Sequence, residues 1–346
     1  MNAQEKKTLI LLLGILAALG VAFLIIWGVN RSNTKKAEAA AAASAQSNVV
    51  SSQLDFTALT WKNPKTTLSF QLGDDGNWFW VDDPDFPMEQ SHITNMISLL
   101  SNLVPQQTIE KGDTLEAYGL ADPPVVLTAT QRDGTQMTFS LGNATTEGNG
   151  YYLLTSQSDT VYIVGNTLHT ELSRGIYDLI ILPDFPTLTA DNLKSVAITG
   201  AVSSTLTAVR TVQVPDASSS AAASSSSSAA ETTTAWFLNG KDRSDNDTVK
   251  TLVSELTGLA IASCADYQPT DEAAALCGFD APACTLNIVY TDDAGADQTV
   301  TLTVGRQNAA GDGYYVRLGG GDTNIYNVSS DALKTALSVA ASGVTG

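Results

Sequence analysis

The sequence predicts an α+β protein: an N-terminal transmembrane helix, then two repeated modules of mostly antiparallel β-sheet with one main helix each. Thr8–Val29 is an uncharged apolar run, and the stretch Tyr118–Tyr152 recurs as Cys277–Tyr315. In each copy, short strand-like runs joined by turn residues surround one longer helical segment. The predicted boundaries are 1–30 for the anchor, 31–53 for an Ala/Ser-rich stalk, 54–190 for module one and 191–346 for module two.

The N-terminal segment is the predicted membrane anchor. Thr8–Val29 exceeds the ~20 apolar residues that cross a bilayer and the roughly 7–15 residues of a signal-peptide core. A cleaved signal peptide is the alternative, because the small residues of Ala37–Ser47 would suit a processing enzyme. A short tail before one span and a long body after it predict a cytoplasmic N-terminus and an extracytoplasmic body. The sequence thus predicts a single-pass protein of the cell membrane.

The charge of the chain excludes one class of partner. The sequence contains 18 Lys and Arg against 36 Asp and Glu, which gives a net charge of −18 at pH 7. A surface of this sign repels nucleic acids and anionic lipid head groups. We therefore expect no nucleic-acid partner.

Matched landmarks carry the repeat. Gly119 corresponds to Gly278, the turn Asn149–Tyr152 corresponds to Asp312–Tyr315, and the order and approximate spacing of the landmarks are preserved. Gly119 and Gly278 lie 159 positions apart. A repeat of this length is too long for a solenoid unit. It indicates either two duplicated domains or two halves of one pseudo-symmetric domain.

Module one reads as a β-rich unit with one main helix. Gly73–Gly76 is a hairpin turn, and Arg132–Gly134 joins two further strands. Ser91 is a suitable N-cap for a helix over Ile93–Leu103, whose apolar residues recur at helical spacing. The predicted strands are Leu54–Trp61, Thr66–Leu72, Asn77–Asp83, Val125–Gln131, Gln136–Leu141, Tyr151–Leu154 and Thr160–Val164, followed by a short helix over Asn166–Leu172.

Module two repeats this order with one insertion. Its main helix is predicted over Val249–Leu259. Where module one has a tight turn, module two has a Ser/Ala-rich segment, 215–234, between the strands Leu206–Val214 and Ala235–Leu238. Such low-complexity sequence cannot bury a core, so we predict a disordered loop at a hairpin tip rather than a linker between domains.

Three cysteines cluster in module two, at Cys264, Cys277 and Cys284, and module one has none at the corresponding positions. In an exported domain one disulfide is conceivable, either Cys277–Cys284 or Cys264–Cys277. The spacing lacks a C-x₂-C pair and a nearby histidine, so zinc is not expected. We predict that the three cysteines are small buried residues with at most one disulfide between them and that they bind no cofactor.

No catalytic motif stands out. The two histidines, His92 and His169, do not recur between modules, and no G-x-S-x-G nucleophile turn is present. The acidic group Asp82, Asp83 and Asp85 is typical of a turn, although a Ca²⁺ site outside the cell stays open as an alternative. We therefore expect a protein that is not an enzyme.

Aromatic residues form the candidate binding patch. Trp78 and Trp80 share one face of a predicted strand, because alternate strand residues point the same way. If that face is exposed, these side chains could bind a carbohydrate or a peptide; recurrence of Trp78 as Trp236 favours core instead. The patch residues are Trp78, Trp80, Tyr151, Tyr152, Tyr314 and Tyr315.

Together these motifs resemble the bacterial domain of unknown function numbered 4340. The resemblance rests on a Trp-containing hairpin, the helix motif of Ile93–Leu103, the Tyr-Gly-Leu-Ala-Asp-Pro sequence of Tyr118–Pro123, the Gly-Tyr-Tyr turn and Val161–Val164. It covers about Leu54–Leu337 as two units. It implies one N-terminal span, an exported α+β body and, for some members, association with gliding-type ABC transport systems. The family has no established catalytic residues.

Three functional hypotheses follow. The first is a membrane-anchored extracytoplasmic, non-catalytic binding or accessory protein, auxiliary to an ABC-type transport or other envelope complex. The second is a cell-wall or carbohydrate-binding module that uses exposed aromatics. The third is a hydrolase with an unrecognised acidic site that includes Asp82, Asp83 and Asp85.

Overall fold

A computed structural model describes residues 55–109, 112–213 and 231–344. The chain divides into two compact units between Gly175 and Ile176. This division lies ahead of the predicted boundary at 190/191, because the 3₁₀ helix Ile176–Leu179 packs on a strand of the second unit. The predicted anchor Thr8–Val29 and the stalk 31–53 lie outside the described residues. Within the described ranges, no helix is long and apolar enough to span a bilayer.

The described residues of unit one form an antiparallel sheet with two helices. The sheet order is β3-β2-β1-β5-β6-β7-β8-β4, and every pairing is antiparallel. Its elements are β1 Phe56–Lys62, β2 Thr67–Leu72, β3 Trp78–Trp80, α1 Gln90–Ser101, β4 Gln107–Ile109, β5 Val125–Gln131, β6 Gln136–Ala144, β7 Gly150–Thr155, β8 Ser158–Gly165 and α2 Asn166–Leu172.

Unit two repeats this arrangement with one added edge strand. Its sheet order is β12-β11-β10-β9-β14-β15-β16-β17-β13. Its elements after the 3₁₀ helix are β9 Leu193–Thr199, β10 Ser204–Gln213, β11 Glu231–Leu238, β12 Lys241–Asp242, α3 Asp247–Thr257, β13 Ser263–Asp266, α4 Asp271–Leu276, β14 Cys284–Thr291, β15 Asp297–Gln307, β16 Gly313–Leu318, β17 Ile325–Ser329 and α5 Ser330–Ser342.

The two sheet orders are the same once β12 is set aside. Strand β13 in unit two occupies the place of β4, and β17 occupies the place of β8. The predicted internal repeat and the mostly antiparallel α+β class are therefore confirmed for the described residues. The expectation of one main helix per module holds in unit one only. In unit two α5 is as long as α3, because its buried face continues from Leu333 through Ala336 to Val339 and Ala340.

The core of each unit lies between one face of the sheet and its helices. Along β5, Val125, Leu127 and Ala129 are buried while the intervening residues are half-buried. Helix α1 buries Ile93 and Leu100 at helical spacing. Burying an aliphatic side chain of this size stabilises a fold by roughly 1.5–3 kcal/mol relative to leaving it exposed. The alternation seen in the sequence thus describes the buried sheet face correctly.

Two local predictions need correction. The N-cap of α1 is Glu89, whose carboxylate accepts from the backbone N–H of Ser91, so the predicted cap Ser91 lies inside the helix. The Ser/Ala-rich loop was predicted to run to Thr234, but β11 begins at Glu231 and its first residues pair with Arg210–Gln213. Threonine-rich sequence suits a strand, which explains why the ladder extends into this segment. Residues 214–230 lie outside the described ranges.

The backbone structure explains why glycine occupies the landmark positions in both units. Gly119 and Gly278 adopt positive φ, +69° and +90°, which glycine tolerates best. A Cβ on Gly142 would collide with the carbonyl oxygen of Tyr118. The next residue in unit one, Asn143, donates its backbone N–H to that same oxygen at 2.8 Å. The landmark therefore ties the loop before β5 to the bulged end of β6.

Unit two contains the same junction. A Cβ on Gly305 would collide with the carbonyl oxygen of Cys277, and Arg306 donates its backbone N–H to that oxygen at 2.7 Å. Gly278 and Gly305 therefore do in unit two what their counterparts do in unit one. The repeat in the sequence marks a backbone contact rather than a ligand site.

Candidate functional site

The predicted aromatic patch is distributed over separate places. Trp78 is buried, at 6% exposure, and offers little surface to a ligand. Trp80 is half-buried on the edge strand β3 and packs edge-to-face on Phe86, with ring centroids 5.5 Å apart. The indole N–H of Trp80 is buried without a hydrogen-bond partner among the described residues. This edge of the sheet therefore retains one half-exposed tryptophan.

Tyr151 and Tyr152 lie on β7 and point to opposite faces. Tyr151 stacks on the imidazole of His169, with centroids 3.9 Å apart and an interplanar angle of 4°. Tyr152 contacts the ring of Tyr118 at 4.6 Å. Strand β7 is five strand spacings from β3 in the sheet, or roughly 24 Å at ~4.8 Å per strand, so the sheet does not bring Tyr152 and Trp80 together.

Tyr314 and Tyr315 lie on β16 in unit two and are both half-buried. They are the counterparts of Tyr151 and Tyr152 in the repeat. Together these positions divide the predicted patch into a β3 edge, a β7 pair and a β16 pair, each within its own unit.

A cleft in unit one, here called cleft one, lies beside the edge strand β4. Its cavity volume is about 330 Å³. The residues just before and at the start of β4 form one wall, the β6–β7 turn forms the other, and Tyr152 lies between them. The polar lining residues are Gln106, Gln107, Thr145, Thr146, Glu147, Asn149 and Tyr152.

A second cleft, cleft two, has the equivalent position in unit two. Its cavity volume is about 520 Å³. One wall is the start of β13, and the other is the β15–β16 turn. Its polar lining residues are Ser263, Asn308, Asp312, Asn327 and Ser329.

Matching backbone hydrogen bonds show that the two clefts are built alike. The wall strands are fixed by Gln106 N–H to Ile163 O at 2.7 Å in unit one and by Ala262 N–H to Asn327 O at 2.9 Å in unit two. The facing turns are both closed by a 2.8 Å bond, from Thr145 to Gly150 O and from Asn308 to Gly313 O. The cleft is therefore a property of the repeated fold.

Close strand approach explains the glycine at the end of each turn. A Cβ on Gly150 would collide with the carbonyl oxygen of Val164, and one on Gly313 would lie 2.9 Å from that of Val328. Both glycines are part of the Gly-Tyr-Tyr landmark. The sequence pattern located this turn but gave no sign of the cleft, because the facing wall depends on which strands pair.

The side chains of the two clefts are used differently. In cleft two, Asn308 donates to the carboxylate of Asp312 at 2.9 Å, and Asn327 donates to Ser263 Oγ at 3.0 Å. In cleft one, the amides of Gln106 and Gln107 make no hydrogen bond to the described residues and are exposed to solvent. The turn side chains bond to each other in both clefts, as Asn149 does to Glu147 in cleft one. The clefts differ at the wall strand, where the side-chain amides of cleft one are free and Ser263 of cleft two is bonded.

The cysteines are free thiols. None of the three forms a disulfide in the structure, so neither of the two pairings considered from the sequence is present. Burial raises the pKa of Cys264 and of Cys284 to about 11. Burial also raises the pKa of Cys277, the half-buried one. A thiol with a raised pKa is protonated at neutral pH and is a poor nucleophile.

The remaining candidate groups sit in ordinary local structure. Burial lowers the pKa of His169, whose ring stacks on Tyr151. The carboxylate of Asp83 accepts the backbone N–H of Asp85 at 3.2 Å, as turn residues do. Within the described ranges, no three His, Cys, Asp or Glu side chains come together as a metal site.

The fold defines this chain as a tandem protein made of two copies of one antiparallel α+β module. Comparison with known families agrees. A family described as "Domain of unknown function (DUF4340)" matches residues 78–225 and 236–341. Because the two matches together cover well over half of the chain, it belongs to the DUF4340 family, with two copies in tandem. Neither the curated proteins nor the solved structures yield a match to it.

Proposed function

We propose that this chain is a membrane-anchored extracytoplasmic protein that binds a partner without catalysing a reaction, as an accessory of an ABC-type transport complex or another envelope complex. Thr8–Val29 would be the single span, with the N-terminus in the cytoplasm. The two modules would form the exposed body.

The main support is what the two modules share. Both have the same strand order, the same glycine junction and a cleft in the same position. The residue types that most often do chemistry are not shared: the cysteines occur only in unit two, and His92 and His169 only in unit one. Duplication has kept a scaffold and a surface feature, which is what a binding protein needs.

The thiols and carboxylates support the same proposal. The two buried thiols have pKa values of about 11, far above the range of an activated nucleophile. Asp292 accepts hydrogen bonds from Gln298, Ala294 and Ala296, which lower its pKa, the reverse of the raised pKa that a general acid needs. These groups stabilise turns and the core.

Accessibility in intact cells tests the proposed topology. The chain carries a C-terminal tag, and spheroplasts are treated with a protease that cannot cross the membrane. The protease should remove the tagged body while a cytoplasmic marker survives. Protection of the tag until the membrane is permeabilised would overturn the proposed orientation. Recovery of the full-length chain in the soluble fraction would overturn the anchor.

Carbohydrate binding is the second candidate, and one observation favours it. Cleft one presents unpaired side-chain amides beside a tyrosine ring, which suits a hydroxylated ligand. The earlier platform of Trp78 and Trp80 retains only Trp80 as a half-exposed ring. Retention of the full chain on envelope glycans, lost in Trp80→Ala, would place the ligand on the β3 edge. Retention by that variant would exclude this platform.

A further inference from the structure

We propose that cleft one binds a neutral, polyhydroxylated ligand of the saccharide class. The inference concerns unit one by itself and does not depend on the membrane anchor or on a transporter partner. A cavity volume of about 330 Å³ falls at the lower end of the roughly 300–1,000 Å³ typical of small-ligand sites. It suits one or two sugar rings rather than a large cofactor.

The first argument is the hydrogen-bonding chemistry of the β4 wall. Gln106 and Gln107 are exposed, and their side-chain amides have no partner among the described residues. Each amide offers two donors and one acceptor oxygen. A sugar hydroxyl both donates and accepts, so neighbouring hydroxyls on one ring match this wall.

The second argument is that the opposite wall is already ordered. Thr145 donates from its hydroxyl to Asn149 Oδ1 at 3.0 Å, and Asn149 in turn donates from Nδ2 to the carboxylate of Glu147 at 3.2 Å. This chain of bonds holds the acceptor oxygens of Glu147 at the cleft. A ligand hydroxyl can donate to them without ordering the turn, which lowers the entropy cost of binding.

The third argument is the tyrosine between the walls. The ring of Tyr152 is fixed against that of Tyr118, whose hydroxyl accepts the backbone N–H of Asp113 at 2.7 Å. A tyrosine offers an apolar ring face together with a polar hydroxyl. The C–H face of a pyranose can rest on such a ring while its hydroxyls reach the amides.

Charge decides between neutral and ionic ligands. None of the described lining residues of cleft one is positively charged, and Glu147 is the one ionised group among them. The chain as a whole carries −18. An anionic ligand would be repelled, and a single exposed carboxylate gives a cation little to hold. A neutral ligand is therefore favoured.

Cleft two provides the internal comparison. Its amides Asn308 and Asn327 are already bonded to Asp312 and Ser263, and the counterparts of Gln106 and Gln107 are Ala262 and Ser263. A ligand there would have to replace existing hydrogen bonds, which returns little net free energy. We therefore assign the ligand to cleft one alone.

Calorimetric titration of the detergent-solubilised full chain tests the proposal. The probes are cellohexaose and the hexamer of β-1,4-linked N-acetylglucosamine. We expect saturable binding of at least one of them at one site per chain. The double variant Gln106→Ala/Gln107→Ala should weaken it by about tenfold, equivalent to about 1.4 kcal/mol, because the hydrogen bonds of two side-chain amides are lost.

The matched control is Gln157→Ala. Gln157 is an exposed amide at the other end of β7, in the turn before β8, and it makes no hydrogen bond to the described residues. It should bind like the unaltered chain. Because all three glutamines are exposed and unpaired, the thermal midpoints of the variants should match that of the unaltered chain.

Two further readouts separate the alternatives. Affinity for a neutral ligand should not change as salt rises from about 0.05 to 0.5 M, whereas an ion-driven interaction weakens as charges are screened. Absence of saturable binding to both hexasaccharides would overturn the proposal. Equal weakening by Gln157→Ala, or unchanged affinity in the double variant, would also overturn it.

Discussion

At the scale of single residues, the repeat includes glycines at positions where a side chain would collide with the backbone. Gly142 on β6 and Gly305 on β15 face a carbonyl oxygen of the loop before the neighbouring strand, β5 or β14, and the residue after each glycine donates its N–H to that oxygen. A sequence shows that such glycines recur but not what they touch. Their contact partners emerge only when the loop and the strand are placed in space.

Substitution of one of these glycines should be costly. We expect Gly305→Ala to lower the free energy of unfolding by about 1–3 kcal/mol or more, because its Cβ would overlap the carbonyl oxygen of Cys277. Gly258→Ala is the matched control in unit two, since its nearest atom would lie at an ordinary 3.5 Å. Urea unfolding measures both. An equally small decrease in the free energy of unfolding for both variants would contradict the predicted collision at position 305.

The buried thiols make stability depend on alkaline pH. A folded-state pKa of about 11 for Cys264 and Cys284, against 9.0 in a free thiol, means that the unfolded chain releases these protons first. The stabilisation is complete below pH 9 and is lost as pH rises towards 11. It amounts to about 2–3 kcal/mol per thiol at most.

The corresponding measurement is the free energy of unfolding between pH 8 and about 11. The free energy of unfolding should decrease across this window. For Cys284→Ala it should decrease less steeply, even though this variant is less stable overall. A parallel curve for the variant would show that Cys284 does not contribute to the slope. The measurement needs a reducing agent, so that disulfides do not form in the unfolded chain.

At the scale of elements, sequence patterns found most strands but missed the edge strand that forms one wall of each cleft. Hairpins announced by Gly73–Gly76 and Arg132–Gly134 form as expected. Strand β4, Gln107–Ile109, gives no sequence signal, because three residues with only an exposed first position are too few to show alternation. Its counterpart β13 was missed for the same reason. Both strands exist because β8 and β17 offer them an unpaired edge.

Helix ends show a similar limit. Ser91 has the preferred chemistry for an N-cap, yet the cap is Glu89. The carboxylate of Glu89 reaches the backbone N–H of Ser91, and Gln90 binds both the N–H and the carbonyl of Trp78 at 2.8 Å. The tertiary contact of Gln90 with β3 sets where the helix begins. Capping preference alone does not contain that information.

The β10–β11 hairpin allows a prediction about the Ser/Ala-rich insertion. Gln213 and Glu231 are directly paired, so residues 214–230 connect two neighbouring strand ends. Replacing them with Asn-Gly should leave the thermal midpoint within about 5 °C, because loop-closure entropy changes slowly with length and Asn-Gly suits a two-residue turn. A thermal melt checks this. Loss of cooperative unfolding would show that the insertion is part of the fold.

At the scale of the whole molecule, the duplication was readable from the sequence but the unit boundary was not. The predicted boundary at 190/191 places the apolar stretch Ile176–Pro186 in module one. In the structure Tyr177 donates from its hydroxyl to Asp266 at 3.1 Å, and Leu179, Ile180 and Leu188 are buried. With the division of the chain before Ile176, these observations assign residues 176–190 to unit two.

Truncation tests this assignment. A fragment that starts at Ile176 should unfold cooperatively, whereas one that starts at Asp191 should be less stable by several kcal/mol, because three buried aliphatic side chains and the Tyr177–Asp266 bond are removed. Tyr177→Phe within the longer fragment separates the hydrogen bond from the apolar contacts. Equal stability of the two fragments would show that residues 176–190 are a linker and not part of unit two.

The proposed accessory role requires that the body is held at the membrane and bound to a partner. The most direct measurement is gentle solubilisation of native membranes that contain the C-terminally tagged chain, followed by identification of the proteins that co-purify. We predict stoichiometric permease and ATPase subunits of one ABC-type transporter, or the subunits of another defined envelope complex. Recovery of the chain alone, or from the soluble fraction, would contradict the accessory role.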